Sequence, residues 1–238
     1  MFVDVHSHIV PSGDDGVTSK EEGLELVHEA GERGTSVVFA TPHVWPQLEL
    51  TPAREAAIRA AHGWMAERAR EWGVDLRLGF ELTPAPSLLE DDLSRYRLGG
   101  TDAVLMELPF EGPLALAERV AGEIEAAGLT PVLGHPERSE SVIGDRGRAR
   151  ELAVRGWLLQ VNATSLLGYH GARAERAGWW LLGEGLADLV ASDGHRRVRP
   201  PFLDGAYDAV VRRLGPDVAR LLFDGSALGV GREAAAHL

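Results

Sequence analysis

A set of histidines and carboxylates recurs along this sequence, and both residue types bind divalent metal ions. The candidates are His6, His8, Asp15, His43, Glu81, Glu107, His135, Asp193 and His195. The chain has no cysteine, which excludes thiolate-bound zinc, iron–sulfur centres and a cysteine nucleophile. Imidazole and carboxylate ligands suit zinc, manganese, iron or cobalt. The residue types therefore predict a site for divalent cations.

The spacing of the candidates strengthens this prediction. His6 and His8 are two residues apart, as are Asp193 and His195, and residues two apart on an extended segment point to the same face. A single histidine or glutamate is usually a solvated or capping residue rather than a ligand. Two such pairs in one chain favour convergence on a common centre.

The hydrophobic pattern predicts the elements that must position these side chains. Short apolar runs alternate with segments of helical period. The runs predict strands at 2–5, 36–40, 76–80, 103–106, 131–133, 157–161 and 188–191, and the helical segments are 20–33, 52–72, 113–127, 146–155, 172–183 and 202–214. This alternation indicates an α/β fold with a parallel sheet buried on both faces. Seven strands in this length fit a seven-strand β/α barrel better than an open sheet, although periodicity does not determine closure. We expect a single domain over residues 1–238.

In β/α barrels the active site is built from residues at the carboxyl ends of the strands. Every predicted strand except the sixth has a candidate ligand at or just after that end, and Asp15 lies in the loop after the first strand. The candidates outnumber the ligands of one tetrahedral site, so two or three ions that share carboxylates are expected.

The charge of such a site indicates a substrate class. Three divalent ions among the four candidate carboxylates, with neutral imidazoles, would leave a net charge of about +2. A site of this charge favours a dianionic phosphate monoester and stabilises the transferring phosphoryl group.

Two arginines lie close to the candidate ligands in the sequence. Arg138 follows His135 in HPER, and Arg199 follows His195 in HRRVRPP. Most arginines cap helices or pair with surface acids, but a forked donor beside a metal ligand is what a phosphoryl group needs. We expect Arg138 and Arg199 to hold the phosphate, with Arg196 and Arg197 as rivals to Arg199.

Composition excludes several classes of partner. The formal net charge of -12 argues against nucleic acid or an anionic membrane as the main partner, since both require a basic surface. No segment has the pattern of a membrane span or of a signal peptide, so we expect a cytoplasmic protein.

The other histidines are weaker candidates. His28 and His62 lie within predicted helices, and His237 lies next to the last residue of the sequence. His170 follows the sixth predicted strand and could reach the mouth of the barrel, but loop position alone is weak support.

The candidate residues resemble those of the polymerase and histidinol phosphatase (PHP) superfamily, a group of seven-strand barrels with a trinuclear metal centre. Within it, the likeness is to bacterial manganese-dependent protein-tyrosine phosphatases of capsule and exopolysaccharide clusters. The matching stretches are DVHSHIVPSGDDG, ATPH, GFELTP, GHPER, QVNATSLLG and ASDGH with the following RPP. Val44 and Trp45 after TPH and the stretch DGSALGV depart from the pattern, which affects the rim rather than the metal core.

The resemblance implies three divalent ions, with manganese as the expected metal. It assigns one ion to His6, His8, Glu81 and Asp193, a second to Glu81, Glu107 and His135, and a third to Asp15, His43 and His195, with Glu81 as the bridge. Asp14 adjoins Asp15 and is an alternative to it. The arginines that hold phosphate map onto Arg138 and Arg199.

The resemblance also implies a reaction and a partner. A metal-bridging hydroxide would attack phosphorus with no phosphoenzyme intermediate, and the substrate would be a phosphotyrosine in a protein. In the family such phosphatases oppose a bacterial tyrosine kinase that controls polysaccharide export, so a phosphorylated kinase tail is the expected partner. The choice of a kinase tail as partner is an analogy with the family.

Three alternatives remain open from the sequence. The chain could be a histidinol phosphatase or another small-molecule phosphoesterase of the same superfamily. It could be an amidohydrolase-type C–N hydrolase, although those enzymes usually need a bridging lysine and Lys20 is the single lysine here. It could be a non-catalytic binding module, although a degenerate barrel should have lost ligands.

Overall fold

The structure is a computed structural model, and it describes residues 1–230. Its strands are short and run parallel to their neighbours. They are β1 (Phe2–Ser7), β2 (Thr35–Ala40), β3 (His43–Val44), β4 (Asp75–Leu78), β5 (Glu81–Leu82), β6 (Ala103–Glu107), β7 (Thr130–Gly134), β8 (Leu158–Asn162) and β9 (Leu189–Ala191). Every predicted strand is present, whereas the two-residue strands β3 and β5 were not predicted.

Helices connect the strands. They are α1 (Lys20–Glu32), α2 (Pro52–Ala69), α3 (Ala115–Ala126), α4 (Glu140–Gly144), α5 (Arg146–Val154), α6 (Ala163–Leu166), α7 (Gly171–Gly183), α8 (Asp204–Leu214) and α9 (Pro216–Phe223). Short 3-10 helices occur at Arg70–Trp72, Pro86–Glu90, Leu93–Tyr96, Pro136–Arg138 and Ser226–Leu228. The six predicted helices correspond to α1, α2, α3, α5, α7 and α8, whereas α4, α6 and α9 were not predicted.

Side-chain caps define the starts of the first two helices. Ser19 Oγ accepts a hydrogen bond from the Glu22 amide at 3.1 Å, and Thr51 Oγ1 accepts one from the Arg54 amide at 3.2 Å. Pro52 occupies the first turn of α2, where a missing N–H costs nothing. These caps end the loops that lead from the strands into the helices.

The strands form two parallel sheets. The three-stranded sheet has the order β1-β2-β4, and the six-stranded sheet has the order β3-β5-β6-β7-β8-β9. The expected parallel α/β architecture is therefore present. A single closed ladder of seven strands is not found among residues 1–230, because Thr41–Pro42 and Gly79–Phe80 interrupt two of the predicted strand paths.

Apolar side chains fill both sides of the strands. Val3, Val5, Phe39, Leu105 and Val132 belong to one buried cluster, to which β1, β2, β6 and β7 all contribute. A larger cluster lies between the strands and the surrounding helices. Burial on both faces explains why the strands read as apolar runs rather than as alternating patterns.

Within residues 1–230, no helix has both the length and the apolar character that a membrane span requires.

Candidate metal centre

The predicted ligands meet at the carboxyl ends of the strands. His6 lies in β1 with His8 just beyond it, Asp15 lies in the following loop, His43 and Glu81 begin β3 and β5, Glu107 ends β6, His135 follows β7, and Asp193 and His195 follow β9. All are buried except Glu107, which is partly buried, and Asp15, whose side chain is 58% exposed. The register of β1 against β2 shifts between Asp4 and Ser7, the stretch that contains His6, and such irregularities are common beside functional sites.

Glu81 lies at the centre of the cluster. Its Oε2 atom is 3.0 Å from His6 Nε2, 3.2 Å from His8 Nε2 and 3.0 Å from His43 Nδ1. Its Oε1 atom is 3.1 Å from His135 Nε2. One carboxylate thus contacts imidazoles from three strand ends, as a ligand shared between ions would.

The ligand atoms fall into three overlapping groups, within each of which the atoms lie within 4.8 Å of one another. The groups are His6, His8 and Glu81; Glu81, Glu107 and His135; and His8, Asp15, His43 and His195. Asp193 Oδ1 adjoins the first group, at 3.5 Å from His6 Nε2 and 3.4 Å from His8 Nε2. The structure thus brings all the predicted ligands together, and His8 also lies beside the third set.

The buried polar atoms of this cluster fit a bound cation. His8 Nδ1, His43 Nδ1, His135 Nδ1 and Glu81 Oε2 are buried and make no hydrogen bond of acceptable geometry, although Glu81 Oε2 lies close to three imidazole nitrogens. His6 Nε2 and His8 Nε2 also face each other at 3.1 Å, where two imidazoles that both carry their proton on Nδ1 would oppose lone pairs. Leaving such groups unsatisfied costs about 1 to 3 kcal/mol each. A cation among them would remove that cost, so this donor set fits divalent metal ions.

The pKa values of the histidines in the cluster also fit metal binding. Burial lowers the pKa of His43 to about 4, and burial also lowers the pKa of His195, so both imidazoles are neutral near pH 7 and able to bind metal. Burial alone would lower the pKa of His6, but the negative charges of Glu81 and Asp193 outweigh it and raise that pKa. The carboxylates therefore favour positive charge at this point.

The backbone is strained at two of the candidate ligands. His135 has φ 38° and Asp193 has φ 50°, and no other non-glycine residue of the described chain has a positive φ. Left-handed conformations cost L-residues roughly 1 to 2 kcal/mol and persist where the surrounding structure enforces them. His135 directly follows β7 and Asp193 lies two residues after the end of β9, which links the strain to the direction of their side chains.

Two arginines border the same space. Arg138 Nη1 is 3.4 Å from Asp193 Oδ2, and Arg199 Nη1 is 3.8 Å from that atom. The side chains of Arg196 and Arg197, the alternatives to Arg199, have their partners elsewhere. Arg196 donates to the Gly16 carbonyl at 2.8 Å, and Arg197 pairs with two glutamates of α1.

Seven of the nine candidate ligands, together with Arg138 and Arg199, line a cavity of about 300 Å³ whose wall also includes two aromatic rings. Trp45 lies on His43 with ring centroids 4.5 Å apart. Phe110 is 43% exposed and lies under the guanidinium of Arg138 at 4.4 Å. The cavity thus combines metal-binding groups, cationic donors and aromatic walls.

The remaining histidines lie outside this cavity. His28 packs on Trp72 with centroids 4.3 Å apart, and His62 Nε2 is 3.0 Å from the Leu76 carbonyl. His170 bonds to Thr164 and lines a separate cavity that shares Phe110 and Arg138 with the first. His237 lies beyond the described residues.

Several residues of the site were missed or left open by sequence reasoning. Asp14 accepts from the amides of His43 and Gly16, both at 3.0 Å, whereas Asp15 Oδ1 lies 3.2 Å from His195 Nε2, so it is Asp15 that faces the third group. Arg54 of α2 donates to the carbonyls of Ser12 and His43 and so ties two loops of the mouth together. Arg54 carries no signal in the sequence, because its partners are backbone atoms.

Gln160 and Asn162 at the end of β8 were also missed. Both are fully buried, and Gln160 Oε1 is 2.8 Å from His6 Nδ1. Their two-residue spacing at a strand end was a usable signal, of the same kind as His-x-His.

Comparison with known proteins gives consistent results. A profile of the family described as capsular polysaccharide synthesis, CpsB/CapC, matches residues 2–228. The tyrosine-protein phosphatase CpsB of Streptococcus agalactiae is 29% identical over 232 residues, which cover 93% of this chain and 95% of that protein. The tyrosine-protein phosphatase YwqE of Bacillus subtilis is 26% identical over 233 residues, which cover 95% of this chain and 91% of that protein.

The fold is similar to a solved structure as well. A chain from the crystal structures of YwqE from Bacillus subtilis and CpsB from Streptococcus pneumoniae, described as metal-dependent tyrosine phosphatases, superposes with a TM-score of 0.82. The identity is 26%, and the match covers 92% of this chain and 90% of that chain.

Proposed function

The chain belongs to the CpsB/CapC family of capsular polysaccharide synthesis, and from this premise we propose that it is a metal-dependent protein-tyrosine phosphatase. The observation that carries the proposal is the cavity in which buried histidines and carboxylates meet Arg138 and Arg199. Relatives matched over nearly the whole chain are named tyrosine-protein phosphatases. A hydrolase without cysteine needs a route other than a thiolate nucleophile, and this ligand set offers one.

We propose three divalent ions, with manganese as the expected metal. His6, His8, Glu81 and Asp193 would hold the first, Glu81, Glu107 and His135 the second, and Asp15, His43 and His195 the third, with His8 close to both the first and third sets. When bound, divalent ions acidify water and withdraw charge from phosphoryl oxygens.

The residues of the chain bind and orient the phosphate. Arg138 and Arg199 converge on Asp193 Oδ2, so an anionic group in the cavity meets two guanidinium groups at one point. Forked contacts of this kind fix phosphoryl oxygens in direction as well as in position.

The aromatic rings favour tyrosine over other phosphate esters. Phe110 and Trp45 line the same cavity as the phosphate-binding arginines, and a phenyl ring can stack against either. Stacking of this kind contributes about 0.5 to 1.5 kcal/mol beyond area burial, which corresponds to roughly 2- to 10-fold in kcat/KM.

We propose that the two sheets are parts of one distorted seven-strand barrel and that the chain is a single domain. In this interpretation β2 with β3, and β4 with β5, are interrupted single strands. Ser7 pairs with Gly194, and the Asp193 amide donates to the His6 carbonyl at 2.9 Å, which joins the first strand to the last.

The proposed partner is a protein with a phosphorylated tyrosine, such as the tail of a bacterial tyrosine kinase, reached in the cytoplasm. An exposed aromatic at the cavity mouth and an acidic overall surface suit a protein segment rather than nucleic acid.

The test is hydrolysis of p-nitrophenyl phosphate and of a phosphotyrosine peptide by metal-stripped protein, with and without manganese. We expect activity to return with the metal. Arg138→Met and Arg199→Met should each lower kcat/KM by about 10- to 100-fold, since a hydrogen bond to a charged group contributes about 1.5 to 3 kcal/mol. Arg197→Met is the matched control, because Arg197 pairs with surface glutamates, and it should retain wild-type activity.

Other substrates in the same assay separate the alternatives. Preference for histidinol phosphate over both aryl substrates would favour a small-molecule phosphatase, and no hydrolysis by the metallated protein would overturn the proposal. The amidohydrolase alternative lacks its lysine, since Lys20 lies on α1 with its ammonium group 4.3 Å from the centre of the Trp64 ring.

A further inference from the structure

Strand β8 contributes no candidate ligand, yet its last residues lie against the cluster. Gln160 and Asn162 have no solvent-accessible surface and are two residues apart, so their side chains share a face of the strand. Buried amides are normally bonded at both their oxygen and their nitrogen. The partners of these two amides are therefore informative.

The two amides connect two candidate ligands of the first proposed ion. Gln160 Oε1 is 2.8 Å from His6 Nδ1, and Gln160 Nε2 donates to Asn162 Oδ1 at 2.9 Å. Asn162 Nδ2 in turn donates to Asp193 Oδ2 at 2.7 Å. The other edges of His6 and Asp193 face each other, with His6 Nε2 3.5 Å from Asp193 Oδ1. The four side chains thus form a closed ring around one edge of the cluster.

The direction of every hydrogen bond in this ring follows from a single charge. An ionised Asp193 can only accept, so Asn162 must present its nitrogen to it and its oxygen to Gln160. Gln160 must then donate to Asn162 with its nitrogen and present its oxygen to His6. The oxygen cannot donate, so His6 Nδ1 must carry a proton, and Nε2 is the nitrogen left to offer a lone pair when a metal ion binds.

We propose that Gln160 and Asn162 are positioning residues that set the tautomer of His6, so that its Nε2 lone pair faces the metal ions. The ring also holds Asp193 Oδ2, which leaves Asp193 Oδ1 directed toward His6 and His8. Both proposed ligands are therefore oriented before a metal ion arrives. The inference rests on the proposed metal centre and explains the QVN part of the QVNATSLLG stretch, to which no role was assigned.

A neighbouring network anchors the ring without belonging to it. Glu137 Oε1 accepts from the Asn162 amide at 3.1 Å and from Ser165 Oγ at 2.7 Å. Ser165 lies in the same sequence stretch and is equally buried, but it contacts neither His6 nor Asp193 through these bonds. Ser165→Ala is therefore a matched control for the loss of one buried hydrogen bond.

The test uses full-length, zinc-loaded protein, since zinc is diamagnetic and suits the ligand set. Nitrogen-15 histidine spectra report which imidazole nitrogen of His6 carries the proton, with the signal assigned by its absence in His6→Gln. Metal affinity is measured in parallel by competition with a chelator. We expect a protected Nδ1 proton on His6 in the wild type, a result that requires no variant at β8.

Two substitutions of Gln160 separate orientation from general damage. Gln160→Met keeps the length of the side chain but cannot bond, and metal affinity should fall by about 10- to 100-fold, as is typical when a partner of a ligating histidine is lost. Gln160→Glu still accepts from His6 and should retain the Nδ1 proton, although it cannot donate to Asn162. Ser165→Ala should bind metal as the wild type does.

The outcomes are distinct. Protonation of His6 at Nε2 in the wild type, or equal affinity losses in Gln160→Met and Ser165→Ala, would overturn the inference while leaving the metal centre intact. A wild-type protein that binds no zinc or manganese would overturn the proposed function itself.

Discussion

Two buried polar regions of this protein, called the lower and the upper region here, differ in how their polar atoms are satisfied. In the lower region, which joins β1 to β9, Asp4 accepts from the Ser192 amide at 2.9 Å and from Ser192 Oγ at 2.5 Å. Ser7 and Thr41 likewise bond to the backbone and to each other beside it. In the upper region, Glu81 and three histidines keep buried atoms without partners.

The difference lies in how far each region is satisfied by hydrogen bonds within the chain. The residues of both regions are classed as buried, so burial alone does not separate the two regions. The lower region is complete within the chain and should act on stability. The upper region needs something from outside the chain, and it should act on metal binding and catalysis.

The largest effect is expected for His135→Gly in the upper region. Metal-ion charge stabilisation is worth several kcal/mol, so kcat/KM for an aryl phosphate should fall by about 10³-fold or more. The free energy of unfolding of the metal-free protein should change by less than about 1 kcal/mol, because glycine relieves the left-handed backbone while losing imidazole contacts. Steady-state kinetics and urea unfolding measure the two quantities.

His62→Ala serves as the control for that substitution. His62 bonds to the Leu76 carbonyl away from the cavity, so this variant should retain its activity. A loss of stability in His135→Gly as large as its loss of activity would mean that the upper region is structural, and the comparison would fail.

A smaller effect, on stability rather than on activity, is expected for Ser192→Ala in the lower region. The substitution removes a hydrogen bond to the buried Asp4 carboxylate and an acceptor for the Gly194 amide. A bond to a charged group contributes about 1.5 to 3 kcal/mol, so the free energy of unfolding should fall by about that amount. Denaturant unfolding of the metal-free variant measures it. An unchanged free energy of unfolding would show that the lower region does not stabilise the contact between β1 and β9.

The smallest effect concerns added metal. A free manganese concentration ten times Kd should raise the free energy of unfolding by about 1.4 kcal/mol per independent site. The same increment should appear in Ser192→Ala, since the upper region is intact there, and it should shrink in His135→Gly. Thermal unfolding at several manganese concentrations provides the measurement. Equal increments in all three proteins would place metal binding elsewhere.

Much of the architecture could be predicted because it depends on local signals. Apolar runs and helical periods marked the strands and the main helices, and the ends of all predicted strands but the sixth pointed to candidate ligands. The interruptions at Thr41–Pro42 and Gly79–Phe80 could not be predicted, because they depend on how the sheets pair rather than on propensity. The eight-residue helix α9 is short enough to depend on packing for its stability.

The site was predictable to the extent that it uses charged or metal-binding residue types. Gln160 and Asn162 were missed because amides are common and neutral, and their role appears only when their partners are known. Arg199 could not be chosen over Arg196 and Arg197 by sequence, since the choice depends on which way each side chain leaves the loop.

The joint between β1 and β9 also has a consequence for how the protein is made. Asp4 and Ser192 are 188 positions apart, and His6 and His8 meet Asp193 and His195 across the same joint. Contacts of such sequence separation form late, after the loop-closure entropy has been overcome. A ribosome-bound chain that has not yet released its ninth strand therefore lacks Asp193 and His195, and the proposed metal centre can be completed only after that strand has emerged.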